Sequence, residues 1–150
     1  MRTMGLDVGT KTIGVAVSDG LGLTAQAITT VRRTNLKADL AALADLVREH
    51  EVSRLVVGLP LNMDGSEGPR AEASRKFADV AGQSLGVPVE FWDERLSTVA
   101  AERTLLEADL TRAKRRQVID QVAAQFILQG WLDAHRPAGD LHADDFDPES

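Results

Sequence analysis

The sequence contains no cysteine and only three histidines, and these two shortages exclude the softer kinds of metal site. Without cysteine the chain forms neither a disulfide nor a thiolate-bound metal. His50, His135 and His142 are scattered along the chain, which argues against a histidine-based zinc site. Any metal bound here must therefore use oxygen ligands.

Long apolar runs are also missing. No stretch approaches the roughly 20 apolar residues that a membrane helix needs. The N-terminus lacks the basic segment, long apolar run and small-residue cleavage site of a secretory signal. We therefore expect a cytoplasmic protein with no membrane partner.

Negative charge is concentrated at the C-terminal end. The net charge is −6, but residues 137–150 hold five acidic residues and neither lysine nor arginine, so residues 1–136 carry a net charge of about −1. An acidic segment poor in apolar residues predicts disorder. Residues 1–136 have the length of one globular domain. We expect a single domain over residues 1–136 followed by an acidic, disordered tail over residues 137–150.

Positive charge is clustered within the domain. Arg112, Lys114, Arg115 and Arg116 fall in one five-residue span. Local basic patches rather than total charge hold phosphate groups, so this cluster is a candidate nucleic-acid contact. A solvated helix face explains the same residues, and both interpretations stay open.

Five segments have the composition of β-strands. The first two alternate and are joined by a tight turn at Gly9-Thr10-Lys11, as in a hairpin. A later one is fully apolar, as expected in a parallel sheet covered on both faces. The segments are Thr3–Val8, Thr12–Ser18, Ala25–Val31, "RLVVGLP" and "VPVEFWDE".

Helices are predicted between and after the later strands. Asn35 suits an N-cap, and Leu36, Leu40, Leu43 and Val47 repeat at helical spacing behind it. Further helices are expected over about 70–84, 98–108 and 112–134. A hairpin meander followed by strand–helix–strand crossovers predicts an α/β fold with a mixed five-stranded sheet flanked by helices.

An aspartate interrupts the first apolar strand. Alternation places Asp7 on the strand face that carries Gly5 and Gly9, opposite Met4, Leu6 and Val8. A buried carboxylate is unfavourable by several kcal/mol, roughly, unless a cation or donors lie close to it. Turn amides or Lys11 would satisfy an isolated aspartate. Further carboxylates that could converge on Asp7 weaken that explanation.

Two such carboxylates occur later in the chain. Glu94 ends the fifth predicted strand, and strand ends are where ligand sites collect in α/β sheets. Asp93 should face the other side. Asp120 lies on the apolar stripe of the last predicted helix, where an acidic residue is uncommon, although a pair with Arg116 would explain it.

Three carboxylates without cysteine or a useful histidine suit a hard divalent cation. Mg²⁺ prefers oxygen ligands and keeps water molecules for substrate phosphates. Two ions about 3.5–4 Å apart can assist phosphodiester cleavage. The residues therefore indicate a site for a hard divalent cation such as Mg²⁺, with two ions expected.

The sequence contains four blocks that stand out together, "LDVGTKTIGVAVSD", "VVGLPLNMDGS", "DERLST" and "VIDQVAAQFILQGWL". In this order they resemble the YqgF (RuvX) family of bacterial nucleases, which have a ribonuclease-H-like fold. The resemblance covers about residues 4–133 and implies a Mg²⁺- or Mn²⁺-dependent phosphodiesterase. It implies 5′-end maturation of pre-16S rRNA, or alternatively Holliday junction resolution. The family's acidic residues fall on Asp7, Glu94 and Asp120.

Residues near these blocks are candidates for nucleic-acid contact. The loop "LNMDGSEGP" is long for an idle connection, although its residues could form a turn and nothing more. Arg70 stands where the next helix begins, and a helix N-terminus favours anions. Besides the basic cluster, the expected contacts are Lys11, Asn62, Ser66, Arg70 and Arg95.

Two other classes of function remain open. "DVGTK" also resembles the phosphate-binding hairpin of the actin and sugar-kinase superfamily, although 150 residues supply only one of the two domains such enzymes use. A non-catalytic nucleic-acid adaptor is the other, and it would bind without metal-dependent turnover. With only four Phe and two Trp, recognition of nucleic acid should depend mainly on backbone shape and charge. A resolvase acting on two symmetric strands would need a homodimer.

Overall fold

The structure, a computed structural model, describes residues 2–96 and 112–136, and for residues 112–118 it describes the backbone only. The strands in this part are β1 (Arg2–Val8), β2 (Thr12–Ser18), β3 (Ala25–Arg32), β4 (Val52–Leu59) and β5 (Val89–Asp93). The helices are α1 (Leu36–Glu49), α2 (Pro69–Leu85) and α3 (Arg112–Ala134), with a 3₁₀ turn at Glu94–Leu96.

The five strands form one mixed sheet in the order β3-β2-β1-β4-β5. β1 pairs antiparallel with β2, and β2 pairs antiparallel with β3. β4 pairs parallel with β1, and β5 pairs parallel with β4. Short turns suffice for the antiparallel pairs, whereas parallel pairs need the helical crossovers α1 and α2. The predicted mixed five-stranded sheet is confirmed.

The two faces of the sheet pack against different helices. Met4 and Leu6 belong to a core that includes Leu43 of α1 and Phe77 of α2. On the opposite face, Val56 packs in a second core with Ile127 of α3. The alternation predicted for β1 is therefore confirmed, because Met4 and Leu6 lie under α1 and α2, whereas a Cβ on Gly5 would meet Leu128 of α3.

Helix α1 begins as predicted. The Asn35 side chain accepts a hydrogen bond from Ala38 N at 2.9 Å, which satisfies one of the amide groups that an α-helix leaves unpaired at its start. Among the described helices, none combines the length and apolar character that crossing a bilayer requires. The helix predicted over 98–108 and the tail over 137–150 lie outside the described residues, so these predictions, and the division into domain and tail, stay predictions.

Candidate active-site cleft

A cleft of about 350 Å³ opens where β1 ends and its turn into β2 begins. The three predicted acidic residues contribute to its wall, together with a single arginine and residues of the turn. The lining residues are Asp7, Val8, Gly9, Thr10, Pro60, Arg70, Glu94 and Asp120. The fold therefore brings Asp7, Glu94, Asp120 and Arg70 to one place.

Gly14 allows α3 to approach Asp7. Asp7 is 8% exposed, and its cross-strand neighbour on β2 is Gly14. A Cβ atom on Gly14 would lie only 1.9 Å from the backbone oxygen of Asp120. Because no other residue fits this space, glycine is required for the backbone of α3 to cross β2 beside Asp7.

Thr12 holds the side chain of Asp120. Its Oγ1 donates a hydrogen bond to Asp120 Oδ2 across 108 residues of sequence. Thr12 and Gly14 alternate with Ile13 and therefore share the face of β2 that meets α3. Sequence reasoning considered Arg116 as the partner of Asp120 and missed Thr12, although strand alternation already placed Thr12 on the face with the small residues. The side chain of Arg116 lies outside the described part of the structure.

Glu94 reaches the cleft from the 3₁₀ turn after β5. A Cβ on Gly58 of the neighbouring strand β4 would lie 2.8 Å from Glu94 Oε2, so the carboxylate lies directly over that glycine. Asp93 does not line the cleft and instead accepts hydrogen bonds from Arg95 Nη2 at 2.7 Å and Nε at 3.0 Å. These bonds hold the pKa of the Asp93 carboxyl below its usual value of 3.8. These positions agree with the prediction that Asp93 and Glu94 face opposite sides.

Two arginines hold the backbone directly after Asp7. Arg70, in the first turn of α2, donates from Nη2 to Val8 O at 2.7 Å. Arg33, directly after β3, donates from Nη1 to Gly9 O at 2.7 Å. The turn that borders the cleft is therefore fixed from two sides.

Arg33 is itself oriented by a buried acid. Asp39 of α1 is 2% exposed and accepts from Arg33 Nε at 3.4 Å and from Thr34 N at 3.0 Å. The Arg33 guanidinium also lies 5.0 Å from the centre of the Phe77 ring. Sequence reasoning missed this pair. The available signal was the position of Asp39, four residues before the buried Leu43 and hence on the inner face of α1.

Four of the other predicted contacts, all among the described residues, do not line the cleft. Lys11 is exposed in the turn between β1 and β2. Asn62 Nδ2 donates to Ser66 Oγ at 2.9 Å, and Arg95 bonds to Asp93 and to Met63 O. The side chains of Arg112, Lys114, Arg115 and Arg116 lie outside the described part of the structure. Their roles in nucleic-acid binding stay predictions.

The carboxylates that line the cleft are suitable ligands for a divalent cation, but their present arrangement is not that of a complete metal site. Among the described lining residues there are three carboxylates and no histidine or sulfur group, which matches the preference of Mg²⁺ or Mn²⁺ for oxygen. Within residues 2–96 and 112–136, however, no three acidic or histidine side chains are grouped closely enough to hold one ion. A cation bound here would have to draw the carboxylates together.

Comparisons with known proteins agree on one family. The family model described as "RuvX: Holliday junction resolvase" matches residues 1–134. A relative from Myxococcus xanthus named "Putative pre-16S rRNA nuclease" is 81% identical, covering 99% of each chain. A relative of the same name from Moorella thermoacetica is 69% identical over 89% of this chain and 95% of its own.

Solved structures share the fold at low sequence identity. RuvC from T. thermophilus, solved in complex with a Holliday junction substrate, has a TM-score of 0.56 and 16% identity, covering 89% of this chain and 94% of its own. The Fowlpox virus resolvase, also solved with Holliday junction DNA, has a TM-score of 0.52 and 9% identity, covering 91% of this chain and 100% of its own. The fold is therefore ribonuclease-H-like, as the sequence resemblance implied.

Proposed function

The chain belongs to the RuvX family, and from this premise we propose that it is a metal-dependent nuclease that hydrolyses phosphodiester bonds in structured nucleic acid. We propose 5′-end processing of pre-16S rRNA as its reaction, since close relatives are named for that substrate. The observation that carries the proposal is the convergence of Asp7, Glu94, Asp120 and Arg70 on one cleft.

Each residue of the cleft has a role in this proposal. Asp7, Glu94 and Asp120 would hold Mg²⁺ or Mn²⁺, with two ions proposed. A divalent cation there would stabilise charge on the phosphate and ease deprotonation of an attacking water. Thr12 limits the orientations of the Asp120 carboxylate, and Arg33 holds the turn after Asp7. Arg70 keeps one N–H on Val8 O and places its positive charge on the cleft wall, where it attracts a phosphate.

A substrate panel tests this function. The pure protein is incubated with single-stranded RNA, a precursor 16S rRNA 5′ end or a four-way DNA junction, in Mn²⁺, Mg²⁺ or excess chelator. We expect cleavage only with a divalent ion and fastest at the precursor 5′ end. Binding without turnover in either metal would instead support the non-catalytic nucleic-acid adaptor. Binding of ATP at micromolar levels would support an ATP-dependent phosphotransferase of the actin and sugar-kinase type.

Holliday junction resolution is the second candidate, and the description of the matching family model favours it. Cutting two symmetric strands requires two cleft copies, so this function predicts a homodimer. Light scattering of the protein with and without a four-way junction measures the subunit number. A monomer that processes RNA faster than junctions would exclude resolution as the main reaction. Either reaction acts on cellular nucleic acid, and we propose the cytoplasm as the compartment.

A further inference from the structure

Two exposed apolar side chains lie a few residues beyond residues that line the cleft. Met63 is 93% exposed and Leu96 is 68% exposed. Met63 lies three residues after Pro60, and Leu96 lies two residues after Glu94, and both Pro60 and Glu94 line the cleft. Met63 and Leu96 are called the apolar rim below.

The loop that carries Met63 is closed by its own hydrogen bonds. Asn62 N donates to Ser66 O at 2.9 Å, and Gly65 N donates to Asn62 O at 2.8 Å. Ser66 donates to Asp64 Oδ1 from its backbone N at 2.9 Å and from its Oγ at 2.6 Å. Met63 is therefore exposed on a turn that is held by its own hydrogen bonds.

Arg95 ties this loop to the cleft. Its Nη1 donates to Met63 O at 3.1 Å, while Nη2 and Nε bond to the Asp93 carboxylate. Because Arg95 directly follows Glu94, the position of the Met63 backbone is coupled to the acidic wall of the cleft. The ion pair with Asp93 also offsets part of the positive charge that Arg95 would otherwise offer to a phosphate.

Among the described residues, the groups that remain for a ligand at the rim are apolar. Asn62, Ser66, Asp64 and Arg95 already bond to one another or to the backbone, whereas the Met63 thioether and the Leu96 isobutyl group face solvent. In nucleic acids the apolar surfaces are the faces of the bases, which a side chain reaches only where stacking is interrupted. Met and Leu are among the side chains that insert between base steps, and a thioether contacts aromatic rings favourably.

We propose that the apolar rim contacts a destacked nucleobase beside the cleft and thereby selects branched or frayed duplexes over continuous ones. The inference rests on the proposed function, because it requires nucleic acid in the cleft. The shared chemistry is an exposed base face, whether it comes from RNA or from DNA. Contact through the apolar rim would let this protein, which has few aromatic residues, bind a base without aromatic stacking.

Two fluorescent probes test the proposal without requiring turnover. One is a four-way DNA junction with 2-aminopurine at the branch point, and the other is an RNA hairpin with a 5′ single-stranded extension and 2-aminopurine in the first base pair. Both are titrated with the protein in chelator, and binding is followed separately by anisotropy. Because 2-aminopurine brightens when it loses its stacking partner, we expect a rise in at least one probe. The larger rise identifies DNA or RNA as the source of the base.

Variants of Met63 test whether the apolar rim causes the rise in 2-aminopurine fluorescence. Met63→Ala should reduce the 2-aminopurine fluorescence rise at least about twofold. It should also slow cleavage of the same substrate about tenfold, which corresponds to about 1.4 kcal/mol. The binding affinity should change little. Met63→Leu should restore both, because it keeps the apolar bulk. Leu21→Ala is the matched control, since Leu21 is 81% exposed but lies in the turn after β2, at the opposite end of that strand from the cleft.

Several outcomes would overturn the proposal. The rim has no such role if the wild-type protein binds both probes without any rise, or if Met63→Ala keeps the full rise and the full cleavage rate. An equal loss in Leu21→Ala would show that any exposed apolar residue gives the signal. A rise that depends on Met63, in a protein that cleaves nothing with either metal, would support the rim and contradict the proposed nuclease.

Discussion

At the residue scale, cleavage is expected to depend on the carboxylates of Asp7 and Asp120. Asn keeps the shape and one oxygen acceptor but removes the charge, so a metal ion loses a ligand while packing hardly changes. We expect Asp7→Asn and, separately, Asp120→Asn to reduce metal-dependent cleavage by more than about 100-fold, the upper end for residues that only support a ligand. Cleavage rates in Mn²⁺ and melting temperatures without metal measure the two effects.

Asp45→Asn is the control for these variants, because the Asp45 side chain is 72% exposed on α1 and pairs only with Arg48 in the part of the chain that the structure describes. It should keep both cleavage and stability. If Asp7 and Asp120 were instead partners in structural ion pairs, removing either would strand a charge at a cost of about 3–5 kcal/mol. If both variants kept cleavage but melted at a much lower temperature, Asp7 and Asp120 would be structural residues rather than metal ligands.

A second residue-scale prediction concerns Asp64 in the loop below the apolar rim. Hydrogen bonds from the Ser66 hydroxyl and backbone amide lower the pKa of Asp64 below its ordinary value of 3.8. A lowered pKa in the folded protein means that these bonds favour the closed turn above pH 3.8 and are lost as the pH falls through the folded pKa. We expect Ser66→Ala to raise the pKa of Asp64 back toward 3.8, measured by NMR titration of the carboxyl carbon. An unchanged midpoint would show that Ser66 does not hold this carboxylate.

At the scale of elements, the approach of α3 to β2 decides where Asp120 lies. Because a Cβ on Gly14 would overlap the backbone of Asp120, Gly14→Ala must displace the helix or the strand. Overpacking of this kind destabilises by about 1–3 kcal/mol. The displacement should also separate Asp120 from Asp7 and slow cleavage more than the loss of stability explains.

Gly20→Ala is the matched control, because a Cβ at Gly20 meets nothing within 4 Å. Chemical denaturation gives the free energies of unfolding, and cleavage is measured at a temperature where both variants are folded. Full activity in a stably folded Gly14→Ala protein would mean that the close crossing serves packing alone.

At the scale of the whole molecule, nucleic-acid affinity is expected to depend on the start of α3. Residues 112–116 lie about 6–12 Å along the helix axis from Asp120 at 1.5 Å per residue. Affinity falls as salt rises, and replacing Arg112, Lys114, Arg115 and Arg116 with Ala should make the slope of log affinity against log salt less negative, by up to about 3.6 for duplex DNA, or about 0.9 per lost phosphate contact. An unchanged slope would leave this cluster as a solvated helix face.

The double variant Lys37→Ala/Arg48→Ala removes charge from exposed positions of α1 and serves as the control. It separates local contacts from the effect of net charge. Because the control removes two positive charges and the test variant removes four, a flattening of the slope about half as large in the control would indicate that total charge rather than the start of α3 governs binding.

The acidic tail gives the second whole-molecule prediction. Because residues 137–150 are acidic and poor in apolar groups, they should bury little surface against the domain. Deletion from Gly139 onward should shift the melting temperature by less than about 2 °C, which corresponds to a few tenths of a kcal/mol for a domain of this size. A fall of many degrees would show that the tail docks on the domain.

The sequence by itself determined the order of elements and the faces they bury. Strand alternation around Met4 and Leu6, helical spacing at Leu40 and Leu43, and the N-cap at Asn35 are local signals, since each depends on residues only a few positions apart. The same alternation separated Glu94 from Asp93. Asp7, Glu94 and Asp120 could be selected because a carboxylate among apolar neighbours is unfavourable unless something binds it.

Only the tertiary structure decided which groups meet. The bond from Thr12 to Asp120 spans 108 residues, and that from Arg70 to Val8 spans 62. Such contacts depend on strand register and on the close crossing at Gly14, which no local pattern encodes. The ion pair between Arg33 and the buried Asp39 and the loop held by Arg95 went unpredicted for a related reason. A charged side chain has many potential partners in the sequence, and packing leaves it only a few.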